Sequence, residues 1–190
     1  MNDFSKYLLK FKNTTNSNNT HLYITGGKYI IPDNKSDEFF TEYNKAFLKN
    51  EKLHVIEVHK ETGPIVIDID MRFSKEKIQK QYKDIDIITL AKSYNTIIKK
   101  YLKVSDKDLK CFIFEKKKVS CDKSFVKDGI HIMYPHIHTY PDVQYVIREN
   151  IIKMYHDNQT FKHLDLKNSL EDVFDKSVIY KNGWLMYGSS

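Results

Sequence analysis

The chain has 190 residues, of which 41% are hydrophobic, 13% aromatic and 29% charged, and its formal net charge is +6. This composition excludes a wholly disordered chain, the lack of an apolar run near ~18 residues excludes a membrane span, and two cysteines are too few for a disulfide framework. The positive charge favours a polyanionic partner, and an amino terminus without a secretory signal predicts an intracellular protein that does not contact membranes.

The first part of the chain predicts a small α/β region. Apolar residues recur at helical spacing over residues 4–11, which favours a short helix. The polar run over residues 13–20 predicts a loop, and residues 28–32 predict a strand that ends at a proline. Ser36 has the chemistry of a helix N-cap, and the aromatic residues after it predict a second helix.

Two predicted strands and a long helix follow. Residues 53–59 alternate loosely between apolar and polar side chains, and residues 64–70 are apolar almost to their end, as in a strand buried on both faces. The turn residues 62–64 between them predict an antiparallel hairpin. From residue 75 to residue 103 the apolar period changes to about 3.6, which predicts an amphipathic helix.

The second half of the chain again mixes strands with a helix. Residues 109–115 and 129–134 predict two strands, and Pro141 favours the start of a helix because proline is tolerated in a first turn. Asn182-Gly183 is a strong two-residue turn signal, so residues 173–187 predict a hairpin. The whole pattern predicts an α+β domain rather than a doubly wound parallel sheet.

Two aspartates, Asp68 and Asp70, close the buried strand. Residues two apart on a strand share a face, so the two carboxylates stand side by side, roughly 7 Å apart at the backbone. Unpaired carboxylates would repel each other, and a hard divalent cation such as Mg²⁺ or Mn²⁺ removes that repulsion. Two-metal chemistry uses further carboxylates, for which Asp175 is the candidate and Glu171 and Asp172 are alternatives. The competing interpretation places the acids past the buried strand, facing water.

The histidines suggest a second kind of contact. His131 lies on an apolar predicted strand with Gly129 on its own face, so its imidazole can contact a nucleotide phosphate where glycine leaves room. The alternative is a histidine that hydrogen-bonds within the core. His136 and His138 flank Pro135 in a predicted loop, and their spacing from the cysteines fits no standard finger, so we do not expect a structural zinc.

Three fragments in order carry a family resemblance: residues 66–70, residues 129–133, and residues 174–180 followed by 183–188. Their order and spacing resemble the archaeo-eukaryotic primase superfamily, and most of all the amino-terminal primase domain of primase–helicases from nucleocytoplasmic large DNA viruses. The resemblance implies an α+β fold with an RRM-like catalytic half and a smaller N-terminal α/β part that ends near residue 50. It also implies that residues 1–190 are one primase domain excised from a longer polypeptide.

The resemblance assigns roles to the candidate residues. Asp68, Asp70 and Asp175 would hold two catalytic Mg²⁺ or Mn²⁺ ions, and His131 would contact the phosphates of the incoming nucleotide. Many relatives have serine where this chain has Gly129, so a hydroxyl contact is missing here. The implied reaction is DNA-templated primer synthesis from nucleoside triphosphates on single-stranded DNA, for viral DNA replication.

The resemblance also implies partners. A helicase module of the same polypeptide, hexameric when intact, would act beside this domain in the host cytoplasm. Among the basic residues, Arg72 and Lys181 are the first candidates for contacts with the triphosphate or the template because they are closest in sequence to the acids, and Lys116 and Lys117 come after them.

Two rival functions remain at this point. A metal-dependent nuclease would use Glu57 together with the two aspartates of the buried strand. A noncatalytic module that binds single-stranded nucleic acid would present exposed aromatic residues on its sheet, for which Phe112, Phe114 and Tyr134 are available. We expect core packing to account for those three aromatic residues.

Overall fold

The computed structural model describes residues 2–15 and 17–189. The chain forms two compact units, one of Met1–Lys60 with Asn182–Ser190 and the other of Glu61–Lys181. The sequence interpretation placed a division near residue 50 within one domain. The observed division falls at Lys60, and the C-terminal residues join the first unit because their strand pairs there.

The described residues form α-helices and both short and long β-strands. The helices are α1 (Asp3–Leu8), α2 (Ser36–Leu48), α3 (Asp84–Tyr101), α4 (Pro141–Asp157) and α5 (Leu170–Val173). The strands are β1 (His21–Tyr23), β2 (Lys28–Tyr29), β3 (Val55–Glu57), β4 (Gly63–Phe73), β5 (Phe112–Glu115), β6 (Ser120–Cys121), β7 (Val126–Thr139), β8 (Phe174–Asp175) and β9 (Trp184–Leu185). No helix in these two described ranges has the length and apolarity needed to cross a bilayer.

The larger unit is built on one antiparallel sheet in the order β5-β7-β4-β8, with β6 paired to β7. Along the chain its main elements run β4, α3, β5, β7, α4 and β8, which is the β-α-β-β-α-β arrangement of RRM-like and ferredoxin-like domains. The α+β class and the RRM-like half are therefore confirmed.

Strand β4 is buried throughout over Ile65–Ile67 and alternates from Ile67 to Phe73, where its odd-numbered residues are buried and its even-numbered polar residues are partly exposed. The buried residues Ile65, Ile67, Ile69, Met71 and Phe73 join the hydrophobic cluster to which α3 and α4 contribute. The expectation of a strand buried on both faces was therefore wrong toward its C-terminal end. There one face packs on the helices and the other carries polar side chains.

Helix α3 begins at Asp84, not near residue 75 as predicted. Its start is fixed by Asp86, whose carboxylate accepts a hydrogen bond from the backbone N–H of Lys83 at 2.8 Å. The preceding segment has few apolar residues, and one of them, Ile78, is exposed. A helix over this segment would bury no apolar side chain before Tyr82 and Ile87, so packing does not stabilise it there.

The smaller unit has a second antiparallel sheet, in the order β2-β1-β3-β9. Helices α1 and α2 supply aromatic residues to its core, and Phe4 lies 5.9 Å from Phe39 and 5.4 Å from Tyr43 between ring centroids. Ser36 is the first residue of α2 rather than its N-cap, because a 3₁₀ turn at Asp33–Lys35 precedes it.

Both predicted hairpins are wrong. Strand β3 pairs with β1 and β9, while β4 pairs with β7 and β8, so the turn at residues 62–64 joins strands of different sheets. The signal at Gly183 has another cause. A Cβ there would lie 2.4 Å from the Ile56 side chain and 2.5 Å from the carbonyl oxygen of Glu57, so glycine is needed for close approach to β3.

Strand β7 is much longer than predicted and runs through Pro135 to Thr139. His136 and His138 therefore lie on this strand and not in a loop, next to a register shift opposite Pro64 and Ile65.

Candidate functional site

Polar residues from neighbouring strands form a row on the face of the larger sheet opposite its helices. In the strand register, Asp68 on the central strand β4 lies directly opposite His131 of β7 on one side and Asp175 of β8 on the other. Phe114 of β5 is opposite His131 and extends the row to the sheet edge. We call Asp68, His131 and Asp175 the carboxylate row. Directly opposite residues on neighbouring strands have Cβ atoms about 4.5–5.5 Å apart, so the side chains of this row lie side by side.

A second row lies two residues along. Asp70 of β4 faces Gly129 of β7, and the Lys116 backbone N–H donates to the Gly129 carbonyl oxygen at 3.5 Å. A Cβ on Gly129 would lie 2.8 Å from the carbonyl oxygen of Ile69 and 3.7 Å from Nζ of Lys116. The glycine thus allows two strands and a lysine ammonium to approach closely beside the acids.

Each acid of the site has a polar neighbour. Nε2 of His131 lies 3.3 Å from Oδ1 of Asp68, and a guanidinium nitrogen of Arg72 lies 3.6 Å from Oδ2 of Asp70. The Asp175 carboxylate accepts hydrogen bonds from the backbone N–H and the hydroxyl of Ser177, at 2.8 Å and 2.7 Å. These side chains are partly exposed, with 26% for Asp68 and 38% for His131, so the row is reachable by solutes.

The predicted site residues are only partly brought together. Asp68, Asp70, Asp175, His131 and Gly129 all come from the same sheet region, with Arg72 on the next even position of β4. Lys181 lies in the exposed turn that follows β8, whereas Lys116 stands beside Gly129. Glu171 and Asp172, the alternatives for the third acid, lie on α5, and Glu57 lies on β3 in the sheet of the smaller unit.

Two side-chain amides complete the edge of β4 on both sides of the short strand β8. Gln144 of α4 accepts from the Val66 N–H at 3.2 Å and donates to the Pro64 carbonyl at 3.1 Å. Asn168 donates to the Asp70 carbonyl at 2.8 Å and accepts from the Arg72 N–H at 3.0 Å. Each amide makes the hydrogen bonds that the backbone of a neighbouring strand would make. The backbone of β4 is therefore hydrogen-bonded along both edges, to β7 on one side and to β8 and the two amides on the other.

Arg148 of α4 holds β8 in the same region. Its buried guanidinium donates to the carbonyl oxygens of Phe174 at 2.6 Å and Glu171 at 2.7 Å. Since Phe174 precedes Asp175, this contact fixes the backbone of the third acid. Sequence reasoning missed Gln144, Asn168 and Arg148, because a polar residue in a loop or on a buried helix face carries no periodic signal.

Asp128 is a further missed residue. It is fully buried beneath the sheet, and its Oδ1 accepts from the Gly129 N–H at 2.8 Å, while burial raises the pKa of its carboxyl group. Its Oδ2 has no hydrogen-bond partner among the described residues. This carboxyl group anchors the backbone of Gly129 from the helix side of the sheet.

The expectation that the aromatic residues of the sheet pack in the core is correct for Tyr134 and wrong for Phe112. Tyr134 is fully buried and donates to the Asn95 side chain at 2.8 Å. Phe112 is 59% exposed, and it pairs with Phe114 at 6.3 Å between ring centroids. Core packing therefore does not account for Phe112.

Asp68, Asp70 and Asp175 supply carboxylate oxygens, the type of ligand that a hard divalent cation prefers, from adjacent positions of one sheet. Within residues 2–15 and 17–189, no three His, Cys, Asp or Glu side chains form a group that could hold a metal ion in this conformation. The Asp175 carboxylate faces Ser177, and that of Asp70 faces Arg72. The three acids therefore fit a cation by their donor chemistry and by their positions on the strands.

Comparison with known proteins identifies one family model and two viral relatives that match this chain. Residues 18–190 match the family described as "C962R protein N-terminal AEP domain", where AEP denotes archaeo-eukaryotic primase. The chain is 41% identical over 186 residues to "Putative helicase L207/L206" of Acanthamoeba polyphaga mimivirus, covering 97% of this chain and 19% of that protein. It is 30% identical over 213 residues to "Putative helicase 184R" of Invertebrate iridescent virus 6, covering 100% of this chain and 22% of that protein. The chain thus spans about a fifth of the length of the curated relatives it matches.

Proposed function

Because the chain belongs to the family of viral N-terminal archaeo-eukaryotic primase domains, we propose that it synthesises primers on single-stranded DNA by nucleotidyl transfer. The reaction joins the α-phosphate of a nucleoside triphosphate to a 3′-hydroxyl and releases pyrophosphate. The observation that carries the proposal is the carboxylate row, in which Asp68 stands between His131 and Asp175, with Asp70 on the same face.

The acids would hold the cations of the reaction. Asp68, Asp70 and Asp175 offer hard oxygen donors from adjacent strand positions, which suits Mg²⁺ or Mn²⁺. When bound, such ions neutralise the triphosphate and lower the pKa of the attacking hydroxyl. Without cations, Asp68 and Asp175 are like charges directly opposite each other on neighbouring strands, an arrangement that destabilises a sheet. A bound cation would remove the repulsion between these two carboxylates, which gives a reason for their positions opposite each other.

The cationic and polar residues of the sheet would bind the triphosphate. The His131 imidazole and the Lys116 ammonium flank Gly129, so an anionic group lying over the glycine would meet both. Arg72 adds a guanidinium beside Asp70. Phosphoryl transfer requires positioning and electrostatic stabilisation more than proton transfer by side chains. The rigidly held backbone of β4 and β8 supplies that positioning.

The relatives' names extend the proposal beyond this domain. Since both are named as helicases and are about five times longer than the matched region, we propose that the domain acts beside a helicase module of one polypeptide, hexameric when intact. Host cytoplasm is the proposed compartment, and Lys117 and Lys181 are proposed as additional contacts with the DNA or the triphosphate.

The test is template-dependent incorporation of labelled nucleotides on single-stranded DNA with Mg²⁺ or Mn²⁺. We expect wild-type protein to make products, starting without a primer, and Asp68→Asn and Asp175→Asn to lose them. Asp172→Asn is the matched control, because this acid lies on α5 and not in the row, and it should keep wild-type activity. Degraded template without new product would assign the acids to a nuclease instead. Equal activity of Asp175→Asn and wild type would refute the role of the row.

A further inference from the structure

An aromatic pair lies on the same sheet face as the acids, at the edge strand β5. Phe112 and Phe114 are two residues apart and therefore project on one side of the strand, with ring centroids 6.3 Å apart and planes inclined by 33°. Phe114 is opposite His131, and Phe112 is opposite Met133. Because strands are spaced by about 4.8 Å, the Phe114 backbone lies roughly 10 Å from that of Asp68.

Phe112 is exposed and Phe114 is partly buried. Phe112 keeps 59% of its surface accessible, although phenylalanine is among the residues most often buried. On the helix-covered face of the same sheet, the central residues Ile67 and Ile132 are at most 5% exposed, whereas Ile113 of the edge strand β5 is 37% exposed. A flat apolar surface left open beside a polar site is typical of a surface that contacts a ligand.

The positive charges near the two phenylalanines favour an anionic ligand. Four lysines of one short segment, Lys110 and Lys116–Lys118, flank the two phenylalanines in sequence, and Lys116 reaches the space above Gly129. The single acid of that segment, Glu115, is already engaged by Lys80 and by the Tyr82 hydroxyl. Aromatic faces bordered by lysines complement a strand whose bases are apolar rings and whose backbone is anionic.

We propose that Phe112 and Phe114 form a stacking platform for unpaired bases of single-stranded DNA, with Lys116 contacting the adjacent phosphate. The proposal rests on the proposed function, for which this strand is the template. The platform would lay the template along β5, two strand spacings or roughly 10 Å from the backbone of Asp68. It also gives a reason for the exposure of Phe112, which a catalytic role for the acids alone leaves unexplained.

The test measures binding without catalysis, by fluorescence anisotropy in EDTA. Two labelled strands of equal length are compared, an oligothymidylate and a strand of abasic sites, which share phosphates but differ in bases. We expect wild-type protein to prefer the oligothymidylate, and Phe112→Leu/Phe114→Leu to lose that preference, with binding weakened by about 5- to 150-fold for each stacked base. Lys116→Gln should keep the preference and lower the salt dependence by about 0.7 in the slope of log K against log salt.

Controls and outcomes separate this proposal from the proposed function. Phe40→Ala removes another exposed phenylalanine, 52% accessible and on α2, and should leave binding unchanged. Equal binding of both strands by wild type, or an unchanged preference in the double leucine variant, overturns the platform. A dimer that dissociates in the double variant would assign the surface to self-association and also overturn it. If the base preference depends on the two phenylalanines but no synthesis occurs with metal, the platform stands and the proposed reaction fails.

Discussion

Replacing Asn168 by alanine tests whether a side-chain amide holds the strand that carries the acids. The substitution removes two hydrogen bonds at once, the one donated to the Asp70 carbonyl at 2.8 Å and the one accepted from the Arg72 N–H at 3.0 Å. Each bond contributes about 0.5–1.5 kcal/mol, and both backbone groups are left without this partner in a partly buried place. We therefore expect the free energy of unfolding to fall by about 2 kcal/mol.

The measurement is equilibrium unfolding in urea, followed by circular dichroism. Asn150→Ala is the matched control, because its amide makes a single exposed bond to the Val146 carbonyl within α4, and alanine is the better helix former. Its free energy of unfolding should stay within about 0.5 kcal/mol of wild type. If Asn168→Ala is as stable as Asn150→Ala, the amide does not act as a substitute for a neighbouring strand. Nucleotide incorporation should decrease in Asn168→Ala, because the Asp70 carboxylate is then less well positioned.

Two further predictions concern packing and pH. Gly129→Ala should lower the free energy of unfolding by about 1–3 kcal/mol, because its Cβ would lie 2.8 Å from the Ile69 carbonyl oxygen. Gly63→Ala is the control: its Cβ would meet nothing within 4 Å, so this variant should be as stable as wild type or slightly more stable in the same urea titration. Burial lowers the pKa of His21 from 6.5 to about 4, so the unfolded state binds the proton more readily and stability is lost as pH falls below 6.5. Between pH 7 and pH 4.5 wild type should lose roughly 2 kcal/mol more than His21→Gln, and parallel pH curves for the two proteins would contradict this.

The acids of the site were predictable because their signal is local. Asp68 and Asp70 follow an apolar run within β4, and His131 lies on a second strand, so period-two alternation places each side chain on a face from sequence alone. The order of these motifs also indicated the family. Strand alternation does not say which strands are neighbours. The direct opposition of Asp68, His131 and Asp175 therefore came from the register in the structure.

The errors came from partner choice, which is a property of the whole fold. A turn signal at residues 62–64 favours a hairpin locally, yet β4 is eleven residues long and finds a far longer partner in β7 than β3 could offer. Asn168 and Gln144 show the same limit, since each side chain bonds a backbone more than 70 residues away. Phe112 was assigned to the core by its apolar character, which does not distinguish an edge strand from a central one.

The most direct test of the central claim is the number of Mn²⁺ ions bound per chain in the presence of a nucleoside triphosphate, measured by electron paramagnetic resonance. If the carboxylate row is a nucleotidyl-transfer site, wild type should bind Mn²⁺ together with the nucleotide, and Asp68→Asn and Asp175→Asn should each weaken that binding more than tenfold. Asp172→Asn should bind as wild type does. Unchanged Mn²⁺ binding in Asp68→Asn and Asp175→Asn would contradict the account, whatever activity the protein shows.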